Sequence, residues 1–207
     1  MKGLIKIIKV EEIKVFNFKG ALRGMRNALN SWNNSDSYID TDNKFVIGSD
    51  DTKLAINLIK ARNSHCKFLR QIFISIDITA PLRWWHDFDT YKISTVKNSC
   101  STMHKLGSKL LKQEDFGWYE ELNMYQKDYL YNINKLITEW QLSKNENLFI
   151  EIRNRLRSDY HQKATWTGNY QNLRNIYFDR KNHKQKEFRE FCRILENLPM
   201  SIFIITK

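Results

Sequence analysis

The stretch RQIFISIDIT, residues 70–79, constrains the fold more than any other part of the chain. Ile72, Ile74, Ile76 and Ile78 alternate with Phe73, Ser75, Asp77 and Thr79. That period of two puts the isoleucines on one face of a β-strand and the other residues on the opposite face. Pro81 follows at once. Proline fits the first turn of a helix, where its missing N–H is not needed. Trp84, Trp85 and Phe88 then read as the packed side of that helix.

Other segments extend the pattern. The β-branched first fifteen residues suggest a strand. Residues 20–32 suggest a helix with Leu22, Met25 and Leu29 on one face. Residues 33–43 are rich in Asn, Ser and Asp and read as a loop. A short strand at 44–48 leads to the helix DTKLAINLIKAR, with Ser49 and Asp50 placed to cap it. An apolar helical stripe runs from Trp118 to Trp140. Further helices are expected at 166–180 and 185–196, the second with Phe188, Phe191, Cys192 and Leu195 on one face. The apolar run SIFIIT, 201–206, reads as a last strand. Helices and strands mix without strict βαβ alternation, which predicts an α+β fold with a mixed or antiparallel sheet packed with helices. With no repeat, no linker and only two prolines, a single domain spanning 1–207 is expected.

Composition narrows the partners. The formal charge of +11 favours anions: nucleic acid, a membrane surface or phosphorylated small molecules. No apolar run is long enough to span a bilayer, so no membrane partner is expected. Cys66, Cys100 and Cys192 form no CxxC pair, and the five histidines include no HExxH, so no metal site is expected. The odd number of cysteines and the absence of a signal-peptide core suit a reducing cytoplasm. Cys100 reads as a small buried residue rather than a nucleophile.

Two arginines are hard to read as solvated charge. Arg174 and Arg180 lie in WTGNYQNLRNIYFDR among Leu173, Ile176, Tyr177 and Phe178. Asn169, Asn172 and Asn175 recur every three residues along one helix side. Amides beside a guanidinium suit a flat polar heterocycle. They equally suit helix capping and a hydrated surface, and the sequence leaves both readings open.

Three ordered blocks carry a resemblance. WTGNYQNLRNIYFDR resembles a W-T-x-N segment followed by N-F-L-x-L-R, with Trp166, Thr167, Asn169, Asn175 and Arg180 on the matching positions. Gln185, Glu187 and Arg189 follow with the spacing of A-Q-x-E-I-R after a one-residue deletion. SHCKFLRQIFISIDITAP, 64–81, resembles G-H-x-S/T-x-L-E/R-H, a strand, then A-P. His65, Leu69, Arg70, Ala80 and Pro81 match, while Lys67 and Gln71 depart. PLRWWHDFDTYKISTVKNSCSTMHKL, 81–106, stands where R-H-R-x-x-S-x-N-E-x-S-x-R-Y belongs. Thr90, Tyr91 and Lys92 replace R-H-R; Asn98 and Ser101 match; Met103 and His104 take the arginine and tyrosine places. The blocks resemble the flavin-dependent thymidylate synthase family.

The resemblance implies a fold, a reaction and a residue map. The reaction is reductive one-carbon transfer to C5 of a pyrimidine nucleotide, dUMP or a relative. FAD is the cofactor, with NADPH and methylenetetrahydrofolate as co-substrates and a homotetramer as the assembly. Arg180 would contact the pyrimidine as the catalytic residue. Arg153, Ser101, Asp87 and Asn98 would bind substrate. Arg70, Lys67, Tyr91, Lys92, Asn169 and Asn175 would face FAD. The alternative is a nucleic-acid-binding or catalytically inert protein on the same fold, motivated by the charge and the interleaved aromatics.

Overall fold

The computed structural model describes residues 7–102 and 106–207, apart from the side chain of Asn63. The positions Met103 and His104, and the start of the expected N-terminal strand, lie outside the described residues. A four-stranded sheet has the order β1-β4-β6-β5, where β1 is Lys9–Phe16, β4 Phe73–Pro81, β5 Val96–Ser99 and β6 His161–Asn169. β2, Tyr38–Ile39, and β3, Phe45–Val46, pair antiparallel in a separate hairpin. Thr165 donates to Asp77, and Thr167 to Ser75. As β6 advances by two residues β4 retreats by two, so these central strands run antiparallel. The architecture is mixed α+β, with an antiparallel sheet packed by helices.

β4 forms where the alternation predicts it. Ile72, Ile74, Ile76 and Ile78 are each at most 2% exposed, while Phe73 is 46% exposed. Each buried isoleucine contributes roughly 1.5–3 kcal/mol relative to exposure. β6 follows the same rule, with Ala164 and Trp166 buried and Thr165 and Thr167 exposed. Gly168 completes it: a Cβ there would stand 2.2 Å from the Trp166 ring. Only glycine lets the indole lie against its own strand.

The chain divides into two compact units. The first comprises residues up to Lys9, Asp77–Thr90 and Lys97–Thr165. It holds α3 (Leu82–Phe88), α4 (Met124–Ser143) and α5 (Glu146–Asn154). Phe116 and Trp118 stack at 4.2 Å inside a core with Leu106, Leu111, Ile133, Ile137 and Ile152. Gly107, at φ +88°, lets the chain pass the Trp140 ring, which a Cβ would approach to 2.9 Å. Trp84, Trp85 and Phe88 are buried as the sequence predicts.

The second unit comprises Val10–Ile76, Tyr91–Val96 and Trp166–Lys207. It holds α1 (Phe18–Met25), α2 (Ser49–Ala61), a 3-10 segment over Asn63–Gln71, α6 (Tyr170–Arg180), α7 (Lys186–Leu195) and α8 (Ile202–Ile205). Phe188, Phe191, Cys192 and Leu195 all point inward from α7, as their spacing predicts. Phe68 meets Phe203 edge-on, and Phe18 meets Tyr170 likewise.

Several expectations need correction. Residues 166–180 are not one helix: β6 occupies them to Asn169 and α6 starts at Tyr170. SIFIIT is helical rather than extended over Ile202–Ile205. Six apolar residues carry no period that separates the two states; here a turn through Met200, at φ 49°, starts a helical turn that buries Phe203 and Ile204. The helix at 20–32 ends at Met25, and Leu29 is 85% exposed. The α2 N-terminus is capped not by Ser49 or Asp50 but by Asp36, whose carboxylate accepts from Asp50 N and Asp51 N. Cys100 is exposed, not buried, because it follows the exposed end of β5. Helix 118–140 begins later, at Met124, although Trp118 is core.

Candidate functional site

Two sites within the second unit gather some of the residues that the sequence singles out. The first forms where α6 ends. Arg180, half-buried, donates from Nε to the Tyr91 hydroxyl at 2.9 Å. The same hydroxyl donates to Asp179 Oδ2 at 3.1 Å. The Nη1 of Arg180 lies 3.0 Å from His183 Nε2, and the other ring nitrogen, Nδ1, lies 3.3 Å from Gln185 N. The guanidinium packs over Phe188 at 4.8 Å and over Tyr91 at 5.5 Å. Among the described residues Arg180 has no carboxylate within ion-pair distance. A partly desolvated guanidinium with no carboxylate partner among the described residues retains its charge for an incoming acceptor. Burial pushes the Tyr91 hydroxyl above its usual range, and Asp179 adds to this against the opposing pull of Arg180. The phenol is therefore neutral near pH 7.

Local contacts fix this corner. Arg189 Nη1 donates to the carbonyls of His183 and Lys184 at 2.6 and 2.9 Å, closing the loop between α6 and α7. Asn172 Nδ2 donates to the Ile93 carbonyl at 3.0 Å, tying the segment after Tyr91 to α6. The start of α6 is a capping box: Asn169 accepts from Asn172 N, and Asn172 accepts from Asn169 N. Two of the three periodic asparagines thus cap or brace. Asn175 is exposed and accepts from Gln171. Arg174 binds the carbonyls of Ile204 and Thr206, which holds α8 in place rather than a ligand.

The second site is an open cavity of about 770 Å³ among α1, α2 and the 3-10 segment. Phe68, Leu58 and Met25 form its apolar part. Lys67, Arg70 and His65 supply its basic part, with Gln71 and Asn27 as amides. Lys67 and Arg70 are exposed at their charged ends, with no ion pair among the described residues.

The structure therefore joins Arg180 to Tyr91 directly and puts Lys67 and Arg70 in one cavity. Lys92 is exposed beside Tyr91. Asp87, Asn98, Ser101 and Arg153 belong to the first unit. There Asp87 and Ser101 are half-buried, and Asn98 and Arg153 are exposed, Arg153 on the last turn of α5. Asp179 and His183 are the residues that sequence reasoning missed. Their only signal is proximity to Arg180, at one and three residues. Among the described residues no cluster of His, Cys, Asp or Glu could hold a metal ion, and no helix is long and apolar enough to cross a membrane.

Thymidylate synthase X from Helicobacter pylori, solved with FAD and dUMP, superposes with a TM-score of 0.71 over 97% of this chain and 96% of that one, at 13% identity. The chain has the flavin-dependent thymidylate synthase fold. A second structure of the flavin-dependent thymidylate synthase from Helicobacter pylori, complexed with FAD and dUMP, gives a TM-score of 0.70 at 14% identity over 95% of this chain and 98% of that one. No family model and no curated protein matches the sequence. The fold is thus retained at an identity that leaves most side chains free to differ.

Proposed function

We propose that the protein is a cytoplasmic flavoenzyme of the thymidylate synthase type. It binds FAD and a pyrimidine nucleotide, dUMP or a relative, and transfers a one-carbon unit to C5, with methylenetetrahydrofolate as donor, NADPH as reductant and a homotetramer as the working assembly. The observation that carries this reading is the Tyr91–Arg180 hydrogen bond. It joins residues 89 apart in sequence. These lie in two blocks that the family resemblance marks separately as parts of one site. The full-length likeness to proteins solved with FAD and dUMP supports the same reading.

The residues fit the cofactor. A large open cavity with apolar walls and exposed Lys67, Arg70 and His65 matches an aromatic dinucleotide carrying phosphates. Lys67 and Arg70 would hold it, together with Tyr91, Lys92, Asn169 and Asn175 from the resemblance map. Bound FAD, once reduced, supplies the hydride. The protein's own task is to position and polarise the pyrimidine. The Arg180 guanidinium, kept free of a carboxylate partner, donates to a ring carbonyl oxygen and stabilises the negative charge that grows there as C5 is activated. On the resemblance map alone, Arg153, Ser101, Asp87 and Asn98 would be further substrate positions, with Ser101 assigned to phosphate. Lys92 offers a point charge in place of an arginine fork.

The test is calorimetric titration of dUMP into the FAD-loaded protein, paired with an assay for the methylated nucleotide. Arg180→Ala should abolish product formation and weaken dUMP binding at least tenfold while the melting temperature holds. Equal rates in wild type and variant would remove Arg180 from the site.

A further inference from the structure

Thr90, Tyr91 and Lys92 stand where the resembling family has R-H-R, and that replacement looks like a loss of charge alone. The geometry gives Tyr91 a definite task. Its hydroxyl hydrogen is committed to Asp179 Oδ2 at 3.1 Å, so a lone pair of the same oxygen meets Arg180 Nε at 2.9 Å. On the other side His183 Nε2 lies 3.0 Å from Nη1. The Phe188 ring lies 4.8 Å from the guanidinium carbon and meets the His183 ring edge-on at 5.1 Å. Both holding groups are themselves held. Arg189 pins the His183 loop by its carbonyls, and Asn172 pins the segment after Tyr91. No acceptor meets Arg180 Nη2 among the described residues. A guanidinium fixed through Nε and Nη1 and open at Nη2 is oriented before any ligand arrives, which removes an ordering cost from binding.

We propose that Tyr91 is a positioning residue whose hydroxyl, accepting from Arg180 Nε, orients the guanidinium for a pyrimidine nucleotide. The inference rests on the function proposed above. It assigns to a residue that departs from the family pattern the task of holding one that keeps it.

The experiment titrates dUMP into the full-length protein with FAD present, at intervals from pH 5.5 to 8.5. Wild type, Tyr91→Phe and Tyr91→His are compared at each pH. Tyr91→Phe keeps the ring and removes both the acceptor for Arg180 and the donor to Asp179. It should raise the dissociation constant about tenfold, by the same factor at every pH, with a thermal melt close to wild type. Tyr91→His restores an acceptor while its ring is neutral. Its affinity should approach wild type at pH 8 and fall, relative to wild type, as the pH drops through the imidazole range at roughly 6–7. Protonation there removes the lone pair and sets a second cation beside Arg180. Among the described residues, Arg180 and Asp179 are charged groups that face position 91, with His183 beyond the guanidinium. Asp179 opposes the proton's release, while burial and Arg180 favour it, so the fall lies toward the acid end of that range.

A residue that serves only packing would give Tyr91→His no such pH dependence. Wild-type affinity in Tyr91→Phe, or a Tyr91→His curve parallel to that of Tyr91→Phe, overturns the inference and leaves the proposed function standing. Failure of wild type itself to bind dUMP overturns both, and is recognised without any variant.

Discussion

Asp51 is fully buried and accepts from Arg26 Nε at 2.6 Å and from the hydroxyls of Ser35 and Ser37, each at 2.5 Å. Burial alone would raise its carboxyl. The serine hydrogen bonds and the Arg26 guanidinium outweigh that and hold it below the usual range. A depressed carboxylate contributes stability that is present above its unfolded value, near 4, and is lost as the pH falls through the lower folded value. Asp51→Asn would leave Arg26, 6% exposed, without a counter-charge. The expected cost is about 3–5 kcal/mol by denaturant unfolding at pH 7, with a smaller loss of stability on acidification than in wild type. An acid limb unchanged by the substitution would contradict this assignment. Neither this pair nor the Tyr91–Arg180 contact is legible in the sequence, since each joins segments that only the folded chain brings together. What the sequence does show is that Arg180 sits in an apolar helix pattern, and that is where the structure has a guanidinium with no carboxylate partner among the described residues.

At the scale of elements, β4 and α7 were legible because each has one clean period: two for the isoleucines of β4, and 3.6 for Phe188, Phe191, Cys192 and Leu195. β5 was not, because V-K-N-S has too few apolar residues to show a period. The switch from β6 to α6 was hidden by a continuous aromatic and amide run, although Ala164 and Trp166 alternate with Thr165 and Thr167. Asn169 marks the switch by capping α6. Asn169→Ala should cost about 1 kcal/mol, lowering the melting temperature by about 2–4 °C. Asn169→Asp keeps the capping oxygen and should retain most of that stability. If both variants melt like wild type, the capping role is wrong. If Asn169→Asp melts normally yet loses flavin, the amide also serves the cofactor.

For the molecule as a whole, the ordered blocks pointed to the fold despite 13% identity to its structural neighbour, because the spacing of a few residues survives when most side chains change. The charge of +11 pointed only to an anion. On the proposed reading the cavity with Lys67, Arg70 and His65 at its basic side takes a compact anionic ligand. Exposed cations are screened by salt, so FAD affinity, read from quenching of flavin fluorescence, should fall several-fold between 0.05 and 0.5 M salt. An oligonucleotide that displaces FAD at low salt would favour nucleic acid as the partner. The most direct measurement of the central claim is the visible absorption spectrum of the purified protein, before and after adding FAD and passing it through a gel-filtration column. The account predicts a flavin band that stays with the protein and is perturbed by dUMP. A colourless protein that lets added FAD pass would contradict it.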